Sequence, residues 1–380
     1  MPRRAIFEDE HEAFRESVRT FLRREAAPHA ERWEQEGMVD REFWRKAGAA
    51  GFVGFQAPAE LGGLDLEDFR FNAILDEEIE YGAIPGDNFA LQNDIVAPYL
   101  VELTTDEQKA RWLPAFTAGE LIGAVAMSEP GAGSDLRAIA TTATPTDGGW
   151  KLDGSKTFVT SGIQADLVIV VARTASGDGH AYSLFAVEAG TPGFERGRKL
   201  SKVGRKAQDT AELFFRDAEV PAENLIGGEG EGLHMLMRNL PRERLSIAIS
   251  AVAASERALE LTLEYVGERR AFGRPVGSFQ ANRFALADLT NRVRAARVYV
   301  DHCIAAVNAG ELSDAEAAGA KAWTTELQFE VLDRCLQLHG GYGYMDEYEI
   351  SRLWRDARVQ RIYGGTNEVM LEIVGRSLGL

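Results

Sequence analysis

Hydrophobic residues recur at helical spacing over the first third of the chain. Two such groups are Phe14, Val18, Phe21 and Leu22, and Phe43, Trp44 and Ala47. Apolar positions three and four residues apart share one face of a helix. Gly62-Gly63 and Pro85-Gly86 interrupt this pattern, and Thr105 precedes acidic residues in the manner of a helix start. The pattern predicts an N-terminal α-helical domain over residues 1–120.

The pattern changes near residue 121 to short apolar segments separated by turns rich in glycine or aspartate. These segments cover residues 150–152, 156–160, 167–171, 182–187 and 213–215. Short strands with no helices between them indicate a β-sandwich or a β-barrel. We therefore predict a central β-domain over residues 121–228.

From about residue 231 the helical period returns in four long stretches. They cover residues 245–266, 284–307, 315–338 and, with an interruption, 350–378. Long helices joined by loops predict an antiparallel four-helix bundle, here over residues 229–380. The predicted class is a multidomain α+β fold, because the chain lacks the βαβ alternation of a nucleotide-binding α/β protein.

Composition narrows the classes of partner. The 380 residues carry a net charge of −17, which argues against nucleic acid and against an anionic membrane surface. No run approaches 18 apolar residues, and the N-terminus lacks the apolar stretch of a signal peptide. Cys303 and Cys335 are far apart, so we expect no metal site, two reduced thiols and a cytoplasmic protein.

Two stretches of the central domain could bind a ligand. Met127–Asp135 has small residues after Pro130, and its backbone N–H groups and the Ser134 hydroxyl could hold a phosphate. The alternative is a plain turn. Residues 156–162 alternate an aromatic with hydroxyl residues, a layout suited to a flat ring with polar edges. The alternative there is packing between strands.

Two further stretches end predicted helices. Glu268–Gly273, followed by Phe279 and Gln280, combines positive charge with glycine. This is either a helix C-cap or a phosphate site. Gln337–Gly343 contains three glycines, more than a single cap requires, and His339 alone does not indicate a base.

The last two stretches concern Glu243 and a glycine pair. Pro241 suits a first helical position, which would place Glu243 in the first turn, where the helix dipole stabilises a carboxylate. That purely structural role is the alternative to a catalytic one. Gly364 and Gly365 lie between two apolar helical patterns, where the chain either turns between helices or holds a ligand closely.

Taken together and in this order, these stretches resemble the acyl-CoA dehydrogenase family of flavoenzymes over essentially the whole chain. The most specific parts are residues 127–135, 269–272, 337–343 and 355–366. The resemblance implies the same three-part architecture, non-covalently bound FAD and a homotetramer. It also implies oxidation of acyl-CoA thioesters to trans-2-enoyl-CoA, with electron-transferring flavoprotein as the electron acceptor.

The resemblance also assigns site residues. Those expected to bind FAD, partly across a subunit interface, are Met127, Ser128, Gly133, Ser134, Phe158, Thr160, Arg269, Phe272, Gln280, Gln337, Leu338, His339, Gly340, Gly341, Thr366, Asn367 and Glu368. Those expected to bind the acyl-CoA are Ser134, Arg244, Tyr363, Gly364 and Gly365.

One departure from the family pattern concerns the catalytic base. Many members carry a glutamate directly before the Gly-Thr pair of the last motif, where this chain has Gly364. Long-chain and isovaleryl types instead place the base on the bundle helix, directly before the site arginine. That position is Glu243, before Arg244. By this resemblance Glu243 is the base, the Gly364 N–H polarises the thioester, and medium-to-long or branched acyl chains are the expected substrates.

Two alternatives stay open at this point. The same scaffold could serve a flavin oxidase or oxygenase. A non-catalytic subunit of a hetero-oligomer is the second alternative, suggested by the missing glutamate at Gly364 and weakened by the presence of Glu243.

Overall fold

The N-terminal domain is helical, as predicted. The computed structural model describes residues 4–85, 89–174 and 181–380, so Gly86 of the Pro85-Gly86 break lies outside the described residues. The helices are α1 (Asp9–Glu25), α2 (Ala30–Glu36), α3 (Arg41–Ala49), α4 (Phe69–Tyr81), α5 (Ala97–Glu102) and α6 (Asp106–Thr117). A π-helical turn, Leu91–Val96, leads directly into α5. Thr105 caps α6 by accepting a hydrogen bond from the Gln108 N–H, which confirms the predicted helix start.

The central domain is one mixed sheet. Its strands are β1 (Gly123–Ala126), β2 (Thr142–Thr146), β3 (Gly149–Thr160), β4 (Leu167–Thr174), β5 (Ala181–Glu188), β6 (Phe194–Lys199), β7 (Thr210–Pro221) and β8 (Leu225–Ile226). Their order is β6-β7-β3-β2-β4-β5-β8, with β1 paired in parallel to β4.

The sheet is not closed. Strands β6 and β8 form its two ends in the described part of the chain, so the barrel alternative is wrong. Alternating burial along a strand reveals its inward face, but it does not reveal whether two edge strands pair. The long pair β3 and β7 contains two register shifts, at residues 152–154 and 156–159, which bend the sheet without closing it.

The C-terminal domain is the predicted helical bundle. It contains α7 (Gly232–Glu268), α8 (Gln280–Asn308), α9 (Asp314–His339), α10 (Glu349–Ala357) and α11 (Asn367–Ser377). A small hairpin, β9 (Arg270–Ala271) and β10 (Arg274–Pro275), joins α7 to α8. The predicted fourth helix is indeed interrupted, because residues 358–366 form a turn between α10 and α11.

Pro241 does not start a helix, contrary to the prediction. Helix α7 begins at Gly232 and continues through Pro241, because buried Met235, Leu236 and Leu240 extend its apolar face upstream. Glu243 therefore lies beyond the first turn, and stabilisation by the helix dipole does not account for it.

A buried ionic network joins the N-terminal domain to the bundle. Arg297 of α8 donates to Glu77 of α4 at 2.7 Å and to Glu256 of α7 at 3.1 Å, and Arg15 donates to Glu77 at 2.9 Å. Burial opposes ionisation of Glu77, but the surrounding arginines outweigh it and lower its pKa to about 2. Glu77 therefore carries its charge in the interior, and Arg297 is the cation shared between it and Glu256.

None of the described helices is both long and apolar enough to cross a membrane.

Candidate active site

Glu243 lies on α7 with its carboxyl in the protein interior, 5% exposed. Burial raises the pKa of Glu243 to about 7. Arg244 and the Tyr99 hydroxyl, which donates to Oε1 at 3.5 Å, oppose this rise, and Asp94 adds to it. A carboxyl that titrates near neutral pH suits a general base, because a substantial fraction is ionised while its basicity stays high.

The two arginines beside Glu243 have other partners. Arg242 donates to Glu102 of α5 at 3.3 Å, and Arg244 donates to Asp314 at the start of α9 at the same distance. Adjacent helix residues diverge by about 100°. The structure thus limits the depression of the Glu243 pKa that two flanking arginines would otherwise cause.

The loop at residues 363–366 packs against the part of α7 that carries Glu243. Gly364 and Gly365 have φ of +64° and +89°, backbone conformations that favour glycine. A Cβ at Gly364 would collide with Cδ1 of Ile247, one turn after Glu243. Among the described residues nothing accepts a hydrogen bond from the Gly364 N–H, so it remains available to a ligand.

Lys321 of α9 holds this loop in place through two hydrogen bonds. Its Nζ donates to the Gly365 carbonyl at 2.7 Å and to Asn367 Oδ1 at 2.9 Å. Burial, followed by the nearby charge of Arg244, lowers the pKa of Lys321 to about 8. The Asn367 amide donates in turn to Thr325 at 2.9 Å. Asn367 is 4% exposed and its side-chain polar atoms have partners inside the protein, so its side chain helps to hold the loop, and its place among the FAD-binding residues stays a prediction.

A second group of predicted residues lies at one edge of the central sheet. The buried Lys156 donates to the Met127 carbonyl at 3.1 Å and to Glu129 at 2.8 Å. The Thr157 N–H donates to the Ser128 carbonyl at 2.9 Å, which fixes the register between the loop and the strand at this point. These contacts tie the loop that begins at Met127 to β3.

Phe158 lies in the bulge between β3 and β7, where the register shift falls between Lys156 and Val159. Its φ is +58° and its side chain is 70% exposed, so packing between strands does not explain it. Bulges commonly redirect a side chain next to a functional site. Gly133 and Ser134 on the neighbouring loop are also exposed, and the space around Gly133 is open. The arrangement offers one face of an aromatic ring, backbone N–H groups and hydroxyls to a flat ligand with a phosphate arm.

A third group surrounds a cavity of about 560 Å³ where α7 and α9 end. Its lining residues are Tyr265, Arg269, Val276, Leu338, His339, Gly340, Gly341, Tyr342 and Met345. His339 is buried and stacks on Tyr265 with ring centroids 4.2 Å apart, so its ring supports the wall. Gly340 and Gly341 have open space where a Cβ would lie, so a ligand could approach the backbone closely at this point.

The comparisons with known proteins agree with this three-domain architecture. Residues 8–120, 124–218 and 230–379 match the family models for the N-terminal, middle and C-terminal domains of acyl-CoA dehydrogenase. The chain belongs to the acyl-CoA dehydrogenase family. This confirms the family and the enzyme class that the sequence predicts.

Individual members of the acyl-CoA dehydrogenase family are similar over nearly the full chain. The long-chain specific mitochondrial enzyme of Sus scrofa is 48% identical over 99% of this chain and 88% of its own length. A crystal structure of acyl-CoA dehydrogenase from Geobacillus kaustophilus is 46% identical, with a TM-score of 0.95, over 98% of this chain and 99% of that one. A Bacillus anthracis acyl-CoA dehydrogenase complexed with FAD is 30% identical, with a TM-score of 0.89, over 98% of this chain and 67% of that one.

The predicted residues of this acyl-CoA dehydrogenase fall into separate places within one chain. Glu243, Arg244 and the loop at 363–366 lie together between α7, α9 and α11. Thr366 caps α11 by accepting from the Val369 N–H at 3.4 Å, and Glu368 is exposed in the first turn of that helix. Among the described residues the cavity at the end of α9 has no central-domain residue in its lining. Gln280 and Gln337 are exposed near that end, and Phe272 is 95% exposed on the hairpin.

Three polar residues of the site are not predicted from the sequence. Tyr99, Asp94 and Lys321 are all fully or almost fully buried. A buried charged side chain requires a specific partner, and that rule could mark Lys321 and Asp94 for attention. The partners themselves lie far away in sequence and could not be named.

Replacing Lys321 with Met should lower the rate of flavin reduction by acyl-CoA about tenfold and lower the melting temperature. A hydrogen bond to a charged group contributes about 1.5–3 kcal/mol, and this change removes two of them from the loop. Stopped-flow absorbance and thermal unfolding measure both effects. Lys151→Met is the matched control, because Lys151 makes one exposed pair with Asp217 at 3.3 Å. Equal behaviour of the two variants would contradict a loop-holding role for Lys321.

Proposed function

We propose that this acyl-CoA dehydrogenase oxidises medium-to-long or branched acyl-CoA thioesters to trans-2-enoyl-CoA, with Glu243 as the base that removes the α-proton. The observation that carries the proposal is a buried carboxyl with a pKa raised to about 7 beside a loop whose Gly364 N–H has no partner among the described residues. Dehydrogenation needs both features, because the α-proton is weakly acidic and the thioester carbonyl gains negative charge as that proton leaves.

Membership of the family shows FAD-dependent dehydrogenation of acyl-CoA, and the residues present fit FAD. The exposed Phe158 and the loop from Met127 to Ser134 suit the flavin ring and its phosphates, and the cavity beside Gly340 suits a further part of the molecule. Bound FAD supplies the acceptor for the β-hydride, which no side chain can provide.

Each polar group near Glu243 then has its own role in the reaction. The Gly364 N–H would donate to the thioester oxygen, and it costs no rearrangement because Lys321 already fixes the loop. Arg244 would contribute positive charge to the acyl-CoA site, since its Nε has no partner among the described residues. Burial of Glu243 excludes water, which keeps the carboxylate strongly basic until the acyl chain arrives.

A panel of acyl-CoA thioesters tests the substrate class. The purified protein is mixed anaerobically with short-chain, medium-chain, long-chain and branched acyl-CoA, and the bleaching of the bound flavin is followed. We expect the largest kcat/KM among the medium-to-long or branched substrates. Bleaching by short straight chains alone would contradict that expectation. Fast reoxidation of the reduced protein by air would favour the oxidase alternative, and no bleaching by any substrate would favour the non-catalytic subunit.

We also propose a cytoplasmic homotetramer that passes its electrons to electron-transferring flavoprotein. Support for assembly comes from Phe272, which is 95% exposed, and from the cavity at the end of α9, whose lining is confined to the bundle and the adjoining hairpin segment. A second copy could complete that cavity. Light scattering after gel filtration should give about four times the chain mass of 41.7 kDa. A monomer that binds FAD fully would contradict the shared site.

A further inference from the structure

A pair of buried aspartates lies beside the α7 turn that carries Glu243. Asp94 and Asp76 are each 1% exposed, and their carboxyls share a hydrogen bond. Ionised carboxylates only accept hydrogen bonds, so one of the two must hold a proton. The side-chain amide of Asn72, on α4, donates a hydrogen bond to Oδ1 of Asp94. Oδ2 of Asp94 has no hydrogen-bond partner among the described residues.

The π-helical turn Leu91–Val96 fixes the position of Asp94. Gln92 exchanges two hydrogen bonds with the backbone of Gly123, at 3.0 and 2.9 Å. Asn93 accepts from the Gly54 N–H at 2.7 Å and donates to the Phe52 carbonyl at 2.9 Å. Isolated π-turns inside helices occur often at functional sites. Because the side chains of Gln92 and Asn93 are both hydrogen-bonded to backbone groups of other segments, Asp94 cannot turn away from α7 without breaking these bonds.

The same segment contacts α7 at two points. The Ser246 hydroxyl lies near Asp94 and favours its ionised form, although it donates to the Arg242 carbonyl at 3.3 Å, and the Tyr99 hydroxyl donates to Glu243. Glu243 and Ser246 are three residues apart on one helix and therefore share a face. Asp94 thus lies against the same face of α7 as the proposed base.

The charged and titratable groups around Asp94 come from two helices. Helix α4 contributes Asp76 with the neutral Asn72, and α7 contributes Glu243 and Arg242. Arg242 lowers the pKa of Asp94, but burial is the larger effect and raises it to about 6. Arg242 also pairs with Glu102 at 3.3 Å, so it is not a dedicated partner of Asp94. Near neutral pH Asp94 therefore faces Glu243 as a second negative charge.

We infer that the charge of Asp94 acts on Glu243 and sets the pH range in which Glu243 removes the α-proton. This makes Asp94 a positioning residue, which acts through the base and does not touch the substrate. The inference rests on the proposed role of Glu243. It goes beyond that role by naming a charge that adds to the effect of burial and keeps the base strong, even though Arg244 and Tyr99 both favour its ionised form.

Two substitutions of similar size should have different effects. Asp94→Asn removes the negative charge beside Glu243, so the base should ionise at lower pH. Asp76→Asn supplies an amide that donates to Asp94 as the protonated Asp76 carboxyl does, so Asp94 should stay ionised and Glu243 should ionise near its wild-type pH. Each variant removes one carboxyl from the same buried pair, so general damage to the interior affects both alike.

The test is the pH profile of kcat/KM for a good acyl-CoA substrate, which reports the base in the free enzyme. We expect the acidic limb to move to lower pH by up to about one pH unit in Asp94→Asn, by loss of a charge interaction across a partly buried site, and to stay near its wild-type position in Asp76→Asn. FAD content and melting temperature are measured in parallel. An unchanged limb in Asp94→Asn, or an equal shift in both variants, would overturn the inference.

Ser246→Ala gives a third variant if a buried asparagine prevents folding. It removes the hydroxyl that favours ionised Asp94, so its acidic limb should also move to lower pH, by less than in Asp94→Asn. An unshifted limb in a folded Ser246→Ala protein would count against the inference. Full activity of Glu243→Gln would instead refute the proposed base itself, so the two failures are distinguishable.

Discussion

Replacing Glu243 with Gln should lower the rate of bound-flavin reduction by acyl-CoA by about 10²–10⁴-fold, the usual contribution of a general base. The amide has nearly the same shape but cannot accept the α-proton. The residues expected to hold FAD lie on other segments, so the variant should keep its bound flavin. Anaerobic stopped-flow absorbance measures the rate, and the flavin spectrum gives the FAD content.

Glu330→Gln is the matched control for this experiment. Glu330 is also a glutamate of a bundle helix, but it lies at the surface of α9, where it pairs with Arg292 at 2.6 Å. Its variant should reduce flavin at nearly the wild-type rate. If Glu243→Gln retained most of its activity while Glu330→Gln did the same, the base would have to be another group.

Replacing Arg297 with Met should have the largest effect on stability, a loss of about 3–5 kcal/mol in the free energy of unfolding. Arg297 is the cation between Glu77 and Glu256, and all three side chains are nearly inaccessible to solvent. Without it, two buried carboxylates lose their shared partner. Urea denaturation, with the slope checked for two-state behaviour, measures the change.

Arg292→Met on the same helix is the control for Arg297. Arg292 pairs with Glu330 at 2.6 Å, but both side chains are partly exposed to solvent. Exposed pairs contribute about 0–1 kcal/mol. Similar losses in the two variants would show that helix α8 responds to any loss of an arginine and that the buried network has no special weight.

The order of helical, β and helical domains could be predicted from the period of apolar residues alone. Closure of the sheet could not, because it depends on whether β6 and β8 pair across the domain. The predicted start of α7 near Pro241 differs from the observed start at Gly232 for a local reason. Pro241 is favoured at a helix start, but the buried face formed by Met235, Leu236 and Leu240 outweighs that preference.

The site could be predicted only where a motif is local in sequence. The resemblance predicts Glu243 and the 363–366 loop as site residues, but not the residues that contact them. Tyr99 and Lys321 reach these groups from other helices, and only the folded chain brings them together. The same motif predicts Asn367 as an FAD-binding residue, and the structure adds that its side chain forms hydrogen bonds with Lys321 and Thr325 of α9.

The most direct test of the account isolates removal of the α-proton from transfer of the hydride. The bound FAD is first reduced with dithionite, so that the acyl-CoA cannot be oxidised, and the protein is incubated with substrate in D2O. Mass spectrometry then follows deuterium entering the carbon next to the thioester. The account predicts exchange in the wild-type protein and almost none in Glu243→Gln. Exchange at the wild-type rate in Glu243→Gln would contradict it.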